Sequence, residues 1–379
     1  MPWKEGTRVS ERSAMVAKWK SGLYGISELA REFGVSRPTV YLWIGRGELD
    51  LVDRDPIPKS CPHRTDARIA SEILAAKRAH PRWGPRKLIQ LLRIEQPSEA
   101  WPSPSTAGVI LDRHGLVKKR LKRRAARIRY WRGPLAADQS GEMMTIDHKG
   151  HFRLGNGRYC YPLTIADPVS RFIYAISGSY TPSLKTAKPP LEAVFREYGL
   201  PDRIGSDNGG PFCCSRALAG LSRLSVWWIR LGVTPLRIHP GCPWENSMHE
   251  RMHRTLKAET TRPASASMPR QQERFDAFRQ EYNFVRPHDG LAGVRPADRL
   301  KPCARPYPRR IPPLDYPGHF ETRRVRHTGE IKFQARRIFL SESLAGEWVG
   351  LEEIADGIWS IRFAHLELAR YDERTKSIS

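Results

Sequence analysis

Apolar and polar positions change rhythm twice along this chain. Within ISELAREFGVSRPTVYLW (26–43), Leu29, Ala30, Phe33, Val35, Val40 and Trp43 fall at the spacing of a helix, a turn and a second helix. Ala30 is small where two helices would cross, and Gly34 suits a left-handed turn residue between them. Ser36 can cap the second helix, with Pro38 in its first turn, where a missing N–H costs little. Arg37, Thr39 and Tyr41 would then face outward, as on a helix that enters a DNA groove, although an ordinary helical hairpin has the same pattern. A second helical unit follows, with helices at about 66–79, 84–94 and 104–114. The last opens with SPST, which offers Ser105 and Thr106 as a second set of DNA contacts or builds a purely structural subdomain.

From residue 143 the texture turns to strands. MMTIDHKG (143–150), YCYPLTIADP (159–168) and RFIYAISG (171–178) predict an antiparallel meander. Helices at about 185–198, 215–231, 244–260 and 270–285, with short strands DRIGSD (202–207) and TPLRI (234–238), complete an α/β core of helices on a mixed sheet. KPCARPYPRRIPPLDYP (301–317) predicts an extended spacer. The short runs beyond it, broken by Thr328-Gly329 and Asp356-Gly357 as hairpin turns, predict a small β-barrel. The chain therefore reads as multidomain. A helix-turn-helix domain (1–50), a linker (51–64) and a second helix-turn-helix or winged-helix-like domain (65–118) come first. A basic linker (119–139), the α/β core (140–299), a proline-rich linker (300–318) and the barrel (319–379) follow.

Charge narrows the partner. Lys plus Arg outnumber Asp plus Glu by 64 to 40, a net +24, which favours a polyanion without by itself separating DNA from RNA or an anionic membrane. Lys118, Lys119, Arg120, Lys122, Arg123 and Arg124 concentrate that charge in RHGLVKKRLKRRAARIRYWR (113–132), read as an arm that tracks DNA phosphates rather than a localisation signal. A hydrophobic content of 40% excludes wholesale disorder. No apolar run approaches the ~18 residues of a membrane span, and the start lacks a signal-peptide core, so a soluble cytoplasmic protein is expected. The six cysteines show no paired spacing and read as reduced thiols, with neither disulfides nor structural zinc.

Three carboxylates carry the chemistry. Asp147 lies in a strand between apolar neighbours, where an acid needs a matching cation. Asp207 closes the strand IGSD before Asn208-Gly209-Gly210. Glu250 begins a helix on which Arg254 and Lys257 follow at i+4 and i+7, placed to grip phosphates. Such a set would hold two Mg²⁺ (or Mn²⁺) ions for phosphoryl transfer. Singly, each acid has a plainer reading: a buried hydrogen-bonded acid, a turn cap, half of a surface pair. Asp167 reads as a turn cap. His148, His249, His253 and His288 read as hydrogen-bonding or phosphate-contacting groups rather than metal ligands.

TIDHKG, SDNGGPF, GCPWENSMHERMHRTLKAE and YNFVRPHDGL with VRPAD, in that order, resemble the integrase-core (DDE) transposases of bacterial insertion sequences. LSRLSVWWIRLGV and the paired N-terminal helical modules resemble most the insertion sequence 481 family. The resemblance implies a ribonuclease-H-like core with Asp147, Asp207 and Glu250 as its catalytic and metal-binding acids. It also implies cutting at terminal inverted repeats, joining of the 3′-hydroxyl to target DNA, and at least two protomers on DNA, with no small-molecule cofactor. A non-catalytic DNA-binding regulator and a metal-dependent nuclease are the alternatives. The interval from Asp207 to Glu250 is longer than is usual in the wider superfamily, and the extra length is assigned to a longer helical connection within ALAGLSRLSVWWIRLG.

Overall fold

The computed structural model describes residues 7–47, 50–53, 64–117, 135, 137–214, 217–239 and 241–378. The basic residues Lys118, Lys119, Arg120, Lys122, Arg123 and Arg124 lie outside the described residues. The chain divides into two compact units, residues 1–65 and 66–379.

The first unit is three short helices, α1 (Arg8–Lys20), α2 (Ile26–Glu32) and α3 (Arg37–Arg46). Met15, Val16, Leu29, Ala30, Val40, Trp43 and Leu51 form its core. Gly34 adopts φ 64° between α2 and α3, a conformation that costs a side chain strain. Ser36 caps α3, and its hydroxyl lies 2.8 Å from that of Thr39. Arg12, though buried, gives Nη1 to the carbonyl of Leu51 at 2.8 Å and Nη2 to Asp53 at 2.7 Å, with its guanidinium stacked over Trp43.

The second unit starts with α4 (Ala67–Ala79), α5 (Pro85–Glu95) and α6 (Pro104–Arg113). These close over a core that includes Ile73, Trp83, Leu88, Ile89 and Leu111, onto which Val285 also packs. The central sheet then assembles from β1 (Met143–His148), β2 (Phe152–Arg153), β3 (Tyr159–Ala166), β4 (Ile173–Ser179), β5 (Arg203–Ser206) and β6 (Thr234–Arg237). β1, β3 and β4 are antiparallel neighbours, and β1, β5 and β6 are parallel. Helices cover both faces, so β1 is apolar on one side and has Thr145 and Asp147 on the other, following the two-residue period of a strand. Met144 and Ile146 join the cluster under α7 (Leu184–Tyr198) and α8 (Arg223–Arg230). The opposite face receives α9 (Ser247–Thr260) and α10 (Met268–Gln280), whose Met252, Leu256, Phe275 and Phe278 pack on Ile173 and Ile176. α10 runs on into a single π-turn, Glu281–Val285, and α11 (Pro296–Arg299) follows.

The helix expected at 215–231 is shorter. Ser222 accepts a hydrogen bond from the Ser225 N–H at 3.2 Å and fixes the start of α8 at Arg223, after a 3-10 turn at Leu218–Gly220. The additional length is therefore not one long helix. α8 turns Leu224, Trp227 and Trp228 into the sheet core, and Val226 and Ile229 into a second cluster shared with the C-terminal strands. The helix expected at 244–260 likewise begins with a 3-10 turn, Pro243–Asn246, before α9.

The proline-rich segment is extended, as its composition predicts, yet it is pinned. Leu200 and Arg305 form a backbone bridge, the Cys303 N–H reaches the Tyr198 carbonyl at 3.1 Å, and Arg305 donates to the carbonyls of Leu231 and Pro201. Tyr307 and Ile311 pack against the sheet core.

C-terminal to it stand β7 (Glu321–Arg324), β8 (Glu330–Phe333), β9 (Arg336–Phe339), β10 (Trp348–Ala355), β11 (Ile358–Phe363), β12 (Leu366–Asp372) and β13 (Ser377–Ile378). The expected small β-barrel is not closed. The strands form an open five-stranded sheet, β13-β12-β11-β10-β7, beside a separate β8-β9 hairpin. Val226 and Ile229 of α8 share the apolar cluster of these strands, so burial is achieved without closure. Gly357 turns the β10-β11 hairpin as predicted, whereas Thr328-Gly329 joins β7 to β8, which do not pair with each other. The described cysteines are free thiols. Among the described residues no helix is long and apolar enough to cross a membrane.

Candidate active site

Parallel strands place their carboxyl ends side by side, and an open α/β sheet presents its binding crevice at that edge. β1 and β5 are in register with Ile146 beside Ser206, so Asp147 and Asp207 are the next pair along the same edge. Both point to the face that α9 covers. Asp147 is largely buried, its side chain 17% exposed. Burial above all, then the charge of Asp207, with Glu250 adding a little, pushes its carboxyl up to about 7. Lys149 and the His148 N–H pull the other way. Asp207 is half-buried and accepts from the Gly209 N–H at 3.1 Å, so the turn-capping reading of this residue describes part of what it does.

Glu250 is exposed in the first turn of α9. That helix is seated by histidines rather than by apolar contact alone. His249 Nε2 and His253 Nε2 lie 2.6 and 2.7 Å from the Thr164 hydroxyl, and His249 Nδ1 lies 3.0 Å from that of Thr145. The Thr164 hydroxyl also reaches the Asp147 carbonyl at 3.0 Å, and with one proton among three partners at least one imidazole must donate to it through Nε2. Burial holds His249 down to about 3 and drives His253 lower still, in keeping with neutral rings. His253 Nδ1 lies 3.7 Å from Asp147 Oδ2. His148 differs from the others. Both of its ring nitrogens are buried without a hydrogen bond, and burial holds it down to about 4 beside the Phe212 ring.

An open cleft of about 590 Å³ is lined by Asp147, His148, Lys149, Glu250, His253, Arg254, Lys257 and Arg262. The spacing that put Glu250, Arg254 and Lys257 on one helical face thus brings them to one cleft. Thr164, Thr145 and Lys149 went unnoticed in the sequence. Only Lys149, two residues past Asp147 in TIDHKG, had a local cue. Asp167, read as a turn cap, accepts from Val169 and Ser170 N–H, Gly141 N–H, Ser140 and Tyr174. His288 Nε2 lies 3.3 Å from the Tyr282 carbonyl. Arg37 and Tyr41 are exposed on α3, Ser105 and Thr106 on α6, while Thr39 is half-buried and committed to the α3 cap.

Whether these acids suit a divalent cation can be judged from their chemistry. Hard carboxylate oxygens match Mg²⁺, and the raised carboxyl of Asp147 marks an acid that is buried, with the charge of Asp207 near it and only partly offset by Lys149. Among the described residues, however, no three acids, histidines or cysteines stand ready as a metal cluster. Exposed Glu250 is the member whose side chain is free to swing in.

The comparisons with known proteins agree on the class. Residues 231–296, which carry Glu250 and the whole of α9, match the integrase core domain family. That segment follows β5 and α8 in a chain whose sheet has the order β4-β3-β1-β5-β6. The chain is 26% identical, over 65% of its length and 68% of the relative's, to the insertion element IS476 uncharacterized 39.2 kDa protein of Xanthomonas euvesicatoria. It is 34% identical over 106 residues to the Pol polyprotein of feline endogenous virus ECE1, 27% of this chain but only 9% of that one. Among solved structures, the simian T-cell lymphotropic virus intasome in complex with PP2A regulatory subunit B56 gamma is 14% identical. It covers 78% of this chain and 97% of its own, with a TM-score of 0.38. The HTLV-2 integrase catalytic core domain in complex with magnesium is 11% identical over 44% of this chain and all of its own, with a TM-score of 0.35. These two scores describe a distant likeness, and no residue is carried over from them. Residues 231–296 thus match an integrase core domain, and the chain is similar to a protein of a bacterial insertion element.

Proposed function

We propose that this protein is the transposase of an insertion sequence, of the 481 type, that cuts DNA at terminal inverted repeats and joins the freed 3′-hydroxyl to target DNA. The reading is supported by Asp147 and Asp207 ending neighbouring parallel strands, and by one cleft that Asp147 shares with Glu250, Lys149, Arg254 and Lys257. Asp147, Asp207 and Glu250 would hold two Mg²⁺ or Mn²⁺ ions. Such ions, when bound, supply positive charge to the attacking and leaving oxygens of an in-line displacement. Arg254, Lys257 and Lys149 would hold the phosphates flanking the scissile bond, offsetting charge that the acids repel. The His249 and His253 bonds to Thr164 and Thr145 would keep the α9 backbone fixed while Glu250 moves. End recognition would use Arg37, Thr39 and Tyr41 of α3 and Ser105 and Thr106 of α6, with the basic residues 118–124 tracking phosphates nonspecifically. Pairing two element ends calls for at least two protomers, working in the cytoplasm.

A supercoiled-plasmid assay with the full chain, Mg²⁺ and oligonucleotide element ends tests this directly. Joined product is expected from the wild type. Asp147→Asn and Glu250→Gln should each lose cleavage and joining by at least ~10³-fold while still binding the ends. Cleavage without joining would make the protein a nuclease, and end binding without cleavage would make it a regulator.

A further inference from the structure

α9 has a second wet face. Glu250, Arg254 and Lys257 face the acidic cleft, whereas Met248, Arg251 and Thr255 form the opposite stripe of the same helix. That stripe borders a separate cavity of about 220 Å³, closed on its far side by α5 of the second helical module. Four cations enter it from four different elements: Lys87 of α5, Arg171 of the β3-β4 turn, Arg251 of α9 and Arg286 after the π-turn. The acids present are Asp167, already saturated by five donors, and the exposed Asp289.

Three of these cations have no ion-pair or hydrogen-bond partner among the described residues: Lys87, Arg171 and Arg251. Arg286 is paired to Glu259 at 3.1 Å, yet its Nε is buried and unsatisfied. Leaving like charges together in a half-enclosed space is costly unless an anion joins them. Burial, and then Arg286, push the Lys87 ammonium down to about 8, which the charges of Asp289 and Glu259 only partly oppose. Arg171 is also held in an unusual posture. Its φ is 62°, and its guanidinium lies so close over Gly290 that any Cβ there would collide with it. A strained backbone and a glycine cradle together aim this side chain into the cavity.

We propose that this cavity binds a phosphate group, held by Lys87, Arg171, Arg251 and Arg286. The cavity's volume of about 220 Å³ is ample for a phosphate group. A phosphodiester of bound DNA and a free phosphate share this chemistry, and only the first depends on the DNA-processing role proposed above.

Thermal unfolding of the full chain in inorganic phosphate, at ionic strength held constant with chloride, is the test. The wild-type Tm should rise with the logarithm of phosphate concentration. Lys87→Met and Arg251→Gln should each raise the half-saturating phosphate concentration roughly tenfold, since each removes one charge-assisted hydrogen bond. Arg251 is exposed, so its variant keeps the fold even if Lys87→Met does not. Asp147→Asn should respond to phosphate like the wild type, which separates this site from the acidic cleft. Salt titration of duplex binding then identifies the source. A log–log slope shallower by about 0.9 in each variant makes the phosphate part of DNA, and an unchanged slope makes it a free phosphate. No phosphate-specific rise in the wild type, or an equal rise in both variants, overturns the proposal.

Discussion

Asp147 carries an unusual burden for a strand residue. Its carboxyl titrates near 7 in the folded chain against an ordinary value of 3.8, so the native state binds more protons than the unfolded chain between those values. Stability contributed at this position is therefore present at about pH 4 and lost as pH rises through about 7. In metal-free buffer, Asp147→Asn should match the wild-type Tm near pH 4 and exceed it by a growing margin to about pH 8. The margin should reach on the order of 2–4 kcal/mol. Mg²⁺ should then raise the Tm of the wild type and not of the variant. A difference that stays flat with pH, measured by calorimetry in EDTA, would remove the basis for a strained carboxyl. The three acids could be proposed from the sequence because the motifs that resemble the family are local strings, each acid alone having a plainer reading. What the sequence could not carry was the environment of Asp147, since burial and the nearness of Asp207 arise only when β1 and β5 pair in parallel.

At the level of elements, α9 shows what one helix can be asked to do. Its buried stripe of His249, Met252, His253, Leu256 and Thr260 anchors it, and its two remaining faces supply different basins. Helical period made that division visible in advance for Glu250, Arg254 and Lys257. It said nothing of Thr164, which lies in another motif and became the shared hydrogen-bond partner of two imidazoles only through tertiary packing. Thr164→Val should leave two buried imidazole nitrogens unpaired and cost about 2–5 kcal/mol. Thr164→Ser should restore most of it. Chemical denaturation reads the loss, and plasmid cleavage at a temperature where both variants are folded tells whether seating α9 matters to Glu250. Equal stability of the Val and Ser variants would mean that the hydroxyl is not the anchor. Elements with strong caps or long periodicity, such as α4, α5 and α7, matched their sequence reading within a residue or so. The stretch before α8 did not, because Ser222 and Gly220 interrupt a run that composition alone reads as continuous.

Across the second unit, two features bind the C-terminal strands to the central sheet and its helices. One is the pinned segment at 301–317, and the other is α8, whose faces serve both apolar clusters. Proline content predicted an extended spacer correctly but could not reveal that Leu200, Leu231 and Tyr198 hold it at Cys303 and Arg305. Ile229→Ala should cost about 2–5 kcal/mol. It should also speed cleavage within 301–317 under limited proteolysis; unchanged digestion would show that α8 is not the fastening. The same arrangement bears on how such proteins diversify. A terminal module acquired from another source could not simply be plugged in, because it would lack the socket that Val226 and Ile229 fill. Inheritance of the two halves is tied together, and shuffling between relatives should succeed only when α8 travels with the strands that receive it.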